Sequence, residues 1–254
     1  MESDGWAQSV RQQIGLGRLL PLGAPEDAAW ITEHAATRVL QRAARKVPGI
    51  HLDSLRVALA DPDTTPEPVV PAPASALPPG PLRIIAAFSA SMRQPLPDTA
   101  ECLRQALLAA AETRLGLDAA EVDLHVTGLL EGHGPTAELP VDHAADLEDP
   151  VPGPVEAEEW GDGLAGAAAA VPGVAHLAAA LGRLAHPITV EDSDDPPRRH
   201  VQVQLSVAAA HRALDVARAV RAVVAIAAAG GAPGPVTVAV LVTAVEPGQR
   251  GAPG

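Results

Sequence analysis

Aromatic residues are almost missing from this sequence of 254 residues, which has no tyrosine, three tryptophans and a single phenylalanine, Phe88. A sheet that binds single-stranded nucleic acid needs exposed aromatic side chains on its central strands. Basic residues are also scarce, 18 against 31 acidic ones, which disfavours a basic nucleic-acid groove. We therefore expect no nucleic-acid binding, and we expect a core built from many small contacts among Ala, Val and Leu.

Cysteine occurs once, as Cys102, which excludes an intramolecular disulfide and a cysteine-based zinc site. We expect Cys102 to be a small core or boundary residue of a helix. The nine histidines show no His-Glu-x-x-His spacing. His125 follows Asp123 on a predicted strand, where a metal or acid/base role is possible, but a solvated or interface histidine is the favoured interpretation.

Known catalytic signatures are also missing, including the Gly-x-Ser-x-Gly elbow, the phosphate loop and a Cys–His arrangement. The segment 191–200, EDSDDPPRRH, lacks the glycine and final glutamate of an EF-hand and predicts a charged loop with internal acid–arginine pairing. We predict that the protein is not an enzyme. We predict no catalytic, cofactor-binding or metal-binding residues and no cofactor.

Long apolar runs are limited to residues 163–182, which are mostly Ala and Gly and are interrupted by Pro172 and Gly173. We reject this run as a membrane span. The segment MESDGWAQSVRQQ is polar and acidic, whereas a secretory signal is basic and then apolar. The sequence thus predicts a cytoplasmic location and leaves open attachment at the inner face of the membrane.

Charge and proline define two unusual segments. Residues 131–163 contain ten acidic residues and no lysine or arginine, so the net charge of −13 falls to −3 once those ten are subtracted. Together with its proline and glycine, this composition predicts a disordered acidic linker. Residues 61–81 contain eight prolines and predict a long loop within the first folded unit.

The first predicted unit covers residues 17–130. Apolar residues at helical spacing after the acidic turn Pro25–Asp27 predict a helix that ends at Pro48 and Gly49; they are Ala28, Ile31, Ala35, Val39 and Ala43. A second helix is predicted from Pro97 and Asp98 to Gly116. Predicted strands lie at 17–22, 55–59, 82–90 and 122–130.

The second predicted unit, residues 164–246, repeats this order. Its shortened first helix ends at VPGV (171–174), strands are predicted at 201–209 and 236–246, and a helix runs from Asp215 to Gly230. Positions match at offsets of 117 and 116, including Phe88 and Ser89 with Leu205 and Ser206, Asp98 with Asp215, Ala100 with Ala217, Arg104 with Arg221, and VTGL (126–129) with VTAV (242–245). Duplication explains this agreement better than chance similarity of Ala/Val-rich segments. We find no second-unit match for His34 or His51.

The fold class predicted is α+β, with two tandem αββαβ units, each a mostly antiparallel sheet with helices on one face. Flexible segments are predicted at 1–16 and 247–254. A sheet covered on one face must leave the other polar or partnered. We expect this uncovered side to carry a set of small, apolar and polar residues, so that the units pair as a pseudo-dimer or recruit another subunit; the set is Arg83, Ile85, Ala87, His125, Ala239 and Leu241.

An amphipathic helix closing on VPGI, alternating strands and a terminal V-x-V-x-V strand make the chain resemble the alkaline-shock, or Gls-type envelope stress response, family over residues 17–130 and, more weakly, 163–246. The resemblance implies a small cytoplasmic α+β domain that self-associates or attaches to the membrane through a partner protein. It makes Val47, Pro48, Gly49 and Ile50 structural positions only. The chain also resembles actinobacterial proteins labelled as a nucleopolyhedrovirus fibrous-body family, but its prolines and missing heptads disfavour the coiled coil that this label implies.

These observations predict a non-enzymatic structural or scaffolding protein that acts through protein–protein contacts in the cell-envelope stress response. Its partner is expected to be a protein, with a membrane-anchored partner and self-association both open. The alternative is an enzyme or small-ligand-binding module with a site between the two units.

Overall fold

The computed structural model describes residues 18–63, 65–66, 68–73, 75–130, 161–178 and 186–247. It confirms the α+β class. The predicted flexible N-terminus, residues 131–160 of the predicted linker and residues 248–254 of the predicted tail lie outside the described residues. Residues 161–163 of the predicted linker begin a helix.

Nine strands and four α-helices are formed by the described residues. In chain order they are β1 (Leu19–Leu22), β2 (Ala29–Thr32), α1 (Glu33–Ala44), β3 (Ile50–Leu59), β4 (Leu82–Ser91), α2 (Leu96–Ala110), β5 (Ala119–Leu130), α3 (Gly161–Ala169), β6 (Val174–Leu177), β7 (Ile188–Asp194), β8 (Pro197–Ala208), α4 (Ala213–Ala228) and β9 (Val236–Glu246). A π-helical turn, Ala111–Leu115, extends α2 as far as Gly116.

The strands form two sheets. The first sheet has the order β3-β4-β5, with β3 antiparallel and β5 parallel to β4. The second sheet has the order β1-β2-β9-β8-β6, and β7 also pairs with β8. In this second sheet, β6 and β7 are antiparallel to β8, whereas β9 is parallel to it. The pairing around β8 therefore has the same directions as the pairing around β4.

The two central strands also share an irregularity. Pairing of β4 with β5 shifts between Phe88 and Ser89 and skips Thr127. Pairing of β8 with β9 shifts between Leu205 and Ser206 and skips Thr243. A skipped residue is a β-bulge, which bends the strand and redirects a side chain.

Helices α1 and α3 are each followed by a glycine in the left-handed region, Gly49 at φ +78° and Gly173 at φ +97°. Glycine adopts this conformation without the steric cost that a Cβ brings. The carbonyl of Gly49 accepts the N–H of Ser91 at 2.7 Å, and that of Gly173 accepts the N–H of Ala208 at 2.9 Å. Each VPG segment thus turns the chain into a strand and holds it against the central strand of its sheet.

The start of α1 differs from the prediction. Pro25–Asp27 form a short 3₁₀ turn, and Ala28 has a left-handed φ of +49°. Residues 29–32 form β2, so the predicted helical placement of Ala28 and Ile31 is wrong. All four residues of β2 are buried, and burial of every residue gives an apolar run whose spacing does not distinguish strand from helix. Thr32 caps α1 by accepting the N–H of Ala35 at 3.2 Å.

The β1–β2 hairpin belongs to the second sheet, although its residues precede the first sheet in the chain. Strand β2 runs parallel to β9, with Ala29 opposite Val240 and Ile31 opposite Val242. Residues 19–32 of the predicted first unit therefore complete the sheet of the second half.

One continuous apolar core joins both halves of the described chain. Helix α1 contacts β3 of the first sheet and β9 of the second. The core is formed by alanine, valine, leucine and isoleucine together with Phe88, which is fully buried. Small side chains bury little area each, so close contact among many of them supplies the stabilisation.

A second, smaller apolar cluster lies on the opposite face of the second sheet and consists of Leu19, Ala28, Trp30, Val70, Ala239 and Leu241. Part of the Pro-rich loop reaches this region, because the N–H of Leu19 donates to Ser75 and the N–H of Leu77 donates to Leu19. Ala239 and Leu241 are fully buried. Their predicted position on an uncovered side is therefore wrong, since the hairpin and the loop bring apolar groups against them.

Candidate functional site

The first sheet has one face packed on the core and one open face. Burial alternates along β4, where Ile84, Ala86 and Phe88 are buried and the intervening residues are half-buried. We define the open face by the outward residues of the three strands; they are His51, Asp53, Arg56, Arg83, Ile85, Ala87, Ser89, Glu121, Asp123, His125 and Thr127, none of which is buried. The predicted position of Arg83, Ile85, Ala87 and His125 on the uncovered side is confirmed.

A polar cluster lies where the bulges of the first sheet meet. Asp53 is the residue skipped in the pairing of β3 with β4, and Thr127 is skipped between β4 and β5. The carboxylate of Asp53 accepts hydrogen bonds from Ser89 Oγ at 3.1 Å and from Thr127 Oγ1. His51 Nε2 lies 3.9 Å from Asp53 Oδ1. The two bulges thus bring one side chain from each of three strands together.

The order of these groups is not that of an activated nucleophile. A catalytic serine needs a base, generally histidine, that bonds its hydroxyl and is oriented by a third group. Here Asp53 lies between Ser89 and His51, so the histidine does not receive the serine proton. Ser89 and Thr127 hydroxyls also lie 3.2 Å apart. The cluster is an exposed set of donors and acceptors suited to polar contact.

Arg83 organises the other end of the open face. Its Nε lies 2.7 Å from Glu121 Oε2 and 3.6 Å from Asp123 Oδ2, and its Nη2 donates to the carbonyl of Ala60 at 3.2 Å. These groups are roughly half-exposed, and ion pairs at such positions contribute only about 0 to 1 kcal/mol to stability. Their main effect is to place one cation between two carboxylates beside the outer strand.

The corresponding region of the second sheet is closed. His176 is opposite Ser206, as His51 is opposite Ser89. The statement that His51 has no match in the second half is therefore wrong, because one inserted residue separates VPGIHL from VPGVAHL. His176 Nδ1 lies 2.9 Å from Ser206 Oγ and 3.2 Å from Glu246 Oε1, the latter without hydrogen-bond geometry. Ser206 is fully buried and cannot meet a substrate.

The segment 191–200 forms the turn of the β7–β8 hairpin and part of both strands, so the predicted loop is wrong. Arg199 donates two hydrogen bonds of 2.7 Å to the carboxylate of Asp192. It also donates to the carbonyls of Ala228, Gly230 and Gly231, at the end of helix α4 and just after it. The hydrogen bonds to Arg199 lower the pKa of Asp192, and those to Asp192 raise the pKa of Arg199. The predicted acid–arginine pairing is confirmed, and it fastens the hairpin to the end of α4.

A groove of about 510 Å³ lies between the two halves. Its lining includes Glu112 and Asp118 from the first half and Arg212, Leu214 and Arg218 from the second. Arg212 Nε donates to the carbonyl of Glu112 at 2.8 Å, and its Nη1 to Asp215 at 3.3 Å. The groove therefore contains charges of both signs, and Arg212 already has partners within the chain.

Asp27 and Arg218 form the adjoining ion pair. Arg218 Nε and Nη2 donate to the two carboxylate oxygens of Asp27 at 2.7 and 2.8 Å. Asp27 is buried and Arg218 is about half-exposed. The hydrogen bond from Arg218 lowers the pKa of Asp27, although burial alone raises it. This paired geometry is the stronger type of ionic hydrogen bond.

Within the described ranges, no group of three or more His, Cys, Asp or Glu residues is placed to hold a metal ion. Over the same ranges, no helix combines the length and apolar character that crossing a membrane requires. Cys102 is exposed on α2, so the prediction that it lies in the core or at the boundary of the core is wrong. Cys102 precedes the buried Leu103 in the sequence, but its side chain lies on the solvent-exposed side of α2.

Comparison with known proteins yields no match among family models, curated proteins or solved structures, so the resemblance to the alkaline-shock family stays a prediction from sequence.

Proposed function

We propose that this protein is a non-enzymatic scaffold that binds a protein partner through the open face of its first sheet. From the sequence resemblance we further propose that the protein acts in the cell-envelope stress response. We propose that its partner is membrane-anchored, at the inner face of the membrane.

The difference between the two sheets carries the proposal. In the second sheet the face that is turned away from the main core includes Trp30, Ala239 and Leu241, and these are buried together with Val70 of the Pro-rich loop. In the first sheet the equivalent face has half-buried Ile85 and Ala87 at its centre, with charged and hydroxyl side chains around them. A small apolar centre with a polar rim is the arrangement found in protein interfaces.

The experiment compares two arginine substitutions in the full chain. Ala87→Arg places a long cation in the middle of the open face, and Val223→Arg places the same side chain on exposed helix α4. A pull-down with membrane fractions retained should recover the same partner with the wild type and Val223→Arg and lose it with Ala87→Arg. Equal recovery with all three proteins contradicts the proposed surface.

Localisation tests the setting separately. A tagged wild-type chain should move to the membrane periphery under envelope stress, and Ala87→Arg should stay dispersed. A uniform signal that envelope stress leaves unchanged in the wild type contradicts a role at the membrane.

We also propose that the halves are copies of one αββαβ unit. Support comes from the matching directions of pairing around β4 and β8, the bulges at Thr127 and Thr243, and the glycines after α1 and α3. Helices α2 and α4 begin at Leu96 and Ala213, an offset of 117 that equals the offset between Phe88 and Leu205. Common bulges are stronger support than common composition, because a bulge depends on local geometry.

The groove between the halves supports a second candidate, a small-ligand-binding module. Its volume suits a small molecule. Arg212 and the nearby carboxylates suit a ligand that carries both an anionic and a cationic group, such as an amino acid. Thermal shift measurements on the wild type and on an Arg212→Ala control, each with free amino acids, test this candidate. A ligand of the groove should raise the melting temperature of the wild type and leave that of the variant unchanged. No shift with any of them excludes this ligand class.

A further inference from the structure

Strand β5 ends the first sheet with a bare edge. It pairs with β4 alone among the described residues, whereas its counterpart β9 pairs with β8 on one side and β2 on the other. Val126 and Leu129 on β5 are 44% and 55% exposed. An edge strand of twelve residues with exposed apolar side chains is a template for another strand, and proteins generally cover or protect such an edge.

The direction of the edge backbone groups follows from the second sheet. Val240 of β9 is opposite Val203, and Leu124 of β5 is opposite Ala86, the position that corresponds to Val203. The N–H of Val240 points away from β8 and donates to Ala28 at 3.0 Å. Because backbone direction alternates along a strand, Leu124 and its neighbours Val122 and Val126 present their N–H and C=O groups on the bare edge of β5.

We propose that a second copy of this chain pairs with this edge, with the two β5 strands antiparallel about a two-fold axis at Leu124. Leu124 is then opposite Leu124, and Val122 is opposite Val126, of the second copy. These are the hydrogen-bonded pairs of an antiparallel ladder, and together they supply roughly six backbone hydrogen bonds. The two first sheets become one six-stranded sheet with a continuous open face. This inference rests on the proposed function only in treating the first sheet as a contact surface.

The side chains favour this register. Asp123 becomes opposite His125 of the second copy, and the two-fold axis makes this contact twice. Non-hydrogen-bonded positions bring side chains closest, and Asp123 and His125 occupy such positions here. On the other side of the sheet, Val122 meets Val126 of the second copy. The strand is therefore complementary to itself in both polarity and shape, as an isologous two-fold contact requires.

Two observations favour a second copy over another occupant. The β1–β2 hairpin precedes α1, and residues 131–160 hold the matching position before α3. They contain nine acidic residues and no two adjacent large apolar residues, whereas the hairpin has Leu19–Leu20 and Trp30–Ile31. Antiparallel pairing also places the two Leu130 residues, after which the acidic segments begin, at opposite ends of the shared edge, which limits like-charge repulsion. A parallel second copy would place these acidic segments side by side.

Sedimentation equilibrium of the full chain from roughly 1 to 300 μM tests the proposal, because a small interface gives a micromolar affinity. We expect a monomer–dimer equilibrium in the wild type. His125→Asp places two aspartates opposite one another twice and should raise the dissociation constant by roughly tenfold or more. The double swap Asp123→His with His125→Asp restores the opposite pairs and should return the constant to within about threefold of the wild type.

Val126→Pro provides a second test, because it removes an N–H from the bare edge and leaves the pairing with β4 in place. It should also abolish the dimer. Ile226→Asp, at an exposed position of α4, is the matched surface control and should leave the dimer unchanged. Circular dichroism and the urea midpoint of each variant show that it is folded. Hydrogen exchange should show protection of the Leu124 and Val126 amides that increases with protein concentration.

A monomer at every concentration overturns the inference, as does a dimer that His125→Asp and Val126→Pro leave intact. A double swap as weak as His125→Asp overturns the register. Protection of the β5 amides only when a different protein is added assigns the edge to that protein and overturns the second copy as occupant. A monomeric chain that still retains a partner sensitive to Ala87→Arg overturns this inference and leaves the proposed function in place.

Discussion

Asp27 and Arg218 are separated by 191 residues in the chain, and their paired hydrogen bonds tie the turn before β2 to helix α4. The carboxylate is the buried partner and the guanidinium is the more exposed one. Removing one of them therefore has a different effect from removing the other. This contact therefore joins a turn in the first half of the described chain to a helix in the second half.

Arg218→Ala should destabilise the protein by about 1 to 3 kcal/mol, because it leaves the buried Asp27 carboxylate without its hydrogen-bond donors. Urea unfolding at neutral pH measures the loss. Arg221→Ala, one helical turn along α4, removes a cation that has no hydrogen bond to Asp27 and should cost less than about 0.5 kcal/mol. Equal losses in both variants contradict a specific contribution from the paired geometry.

Lowering the pH should weaken the same contact. The pKa of Asp27 is lowered in the folded protein, so its stabilisation is fully present above its unfolded pKa, about 3.9, and is lost as the pH falls through the lowered folded value. Asp27→Asn should be less stable than the wild type at pH 7, and the difference should shrink in acid. Urea unfolding between pH 7 and pH 2 measures this difference.

Glu26→Gln is the control for the pH experiment, because it removes an exposed carboxylate from the same turn. It should follow the wild-type profile. A constant difference between Asp27→Asn and the wild type across the whole range contradicts the linkage of this carboxyl group to folding.

Gly116→Ala should destabilise the protein by about 2 kcal/mol or more, because Gly116 ends the π-helical turn in the left-handed region. Its φ is +87°, and an added Cβ would lie 2.4 Å from Leu214 Cβ. Gly166→Ala is the matched control in α3, where a Cβ meets nothing within 4 Å, and it should stabilise by about 0.5 to 1 kcal/mol. Thermal unfolding distinguishes the opposite signs.

Thr32→Ala tests where α1 begins. Thr32 is fully buried, accepts the N–H of Ala35, and donates from Oγ1 to the carbonyl of Thr243 at 3.0 Å. Loss of the cap should cost about 1 to 2 kcal/mol, and Thr32→Ser should recover most of it. If the helix began at Pro25, as the apolar spacing predicts, Thr32 would be interior and alanine would stabilise the helix. Urea unfolding of both variants gives the answer.

Sequence patterns located most elements of this fold and missed the strands β2, β6 and β7. Predicted strands correspond to β1, β3, β4, β5, β8 and β9, and predicted helices correspond to all four helices, although α1 begins later than predicted. Strand β2 has four residues and is a strand because β9, more than two hundred residues later, pairs with it. The spacing of apolar residues around positions 29–32 gives no information about a pairing partner so distant in the sequence. Strands β6 and β7 were missed for the same reason, since both are edge partners of β8.

The open face was predictable in part. Alternation along β4 and β5 indicated that Arg83, Ile85, Ala87 and His125 point away from the core. The cluster around Asp53 was not predicted, because two bulges bring its members together. A strict period of two counted back from buried Leu55 and Val57 places Asp53 on the core face. His176 could have been found from the shared His-Leu after each VPG, with one insertion allowed.

The parallel contact of β2 with β9 sets the order in which the chain can mature during synthesis. The ribosome releases the hairpin of residues 19–32 about two hundred residues before the strand that receives it, residues 236–246. Until then the apolar side chains of Leu20, Leu22 and Ile31 have no sheet to join, and they remain targets for chaperones or for misassembly. Chains that stop before β9 therefore expose this hairpin, and completion of β9 is the step that conceals it.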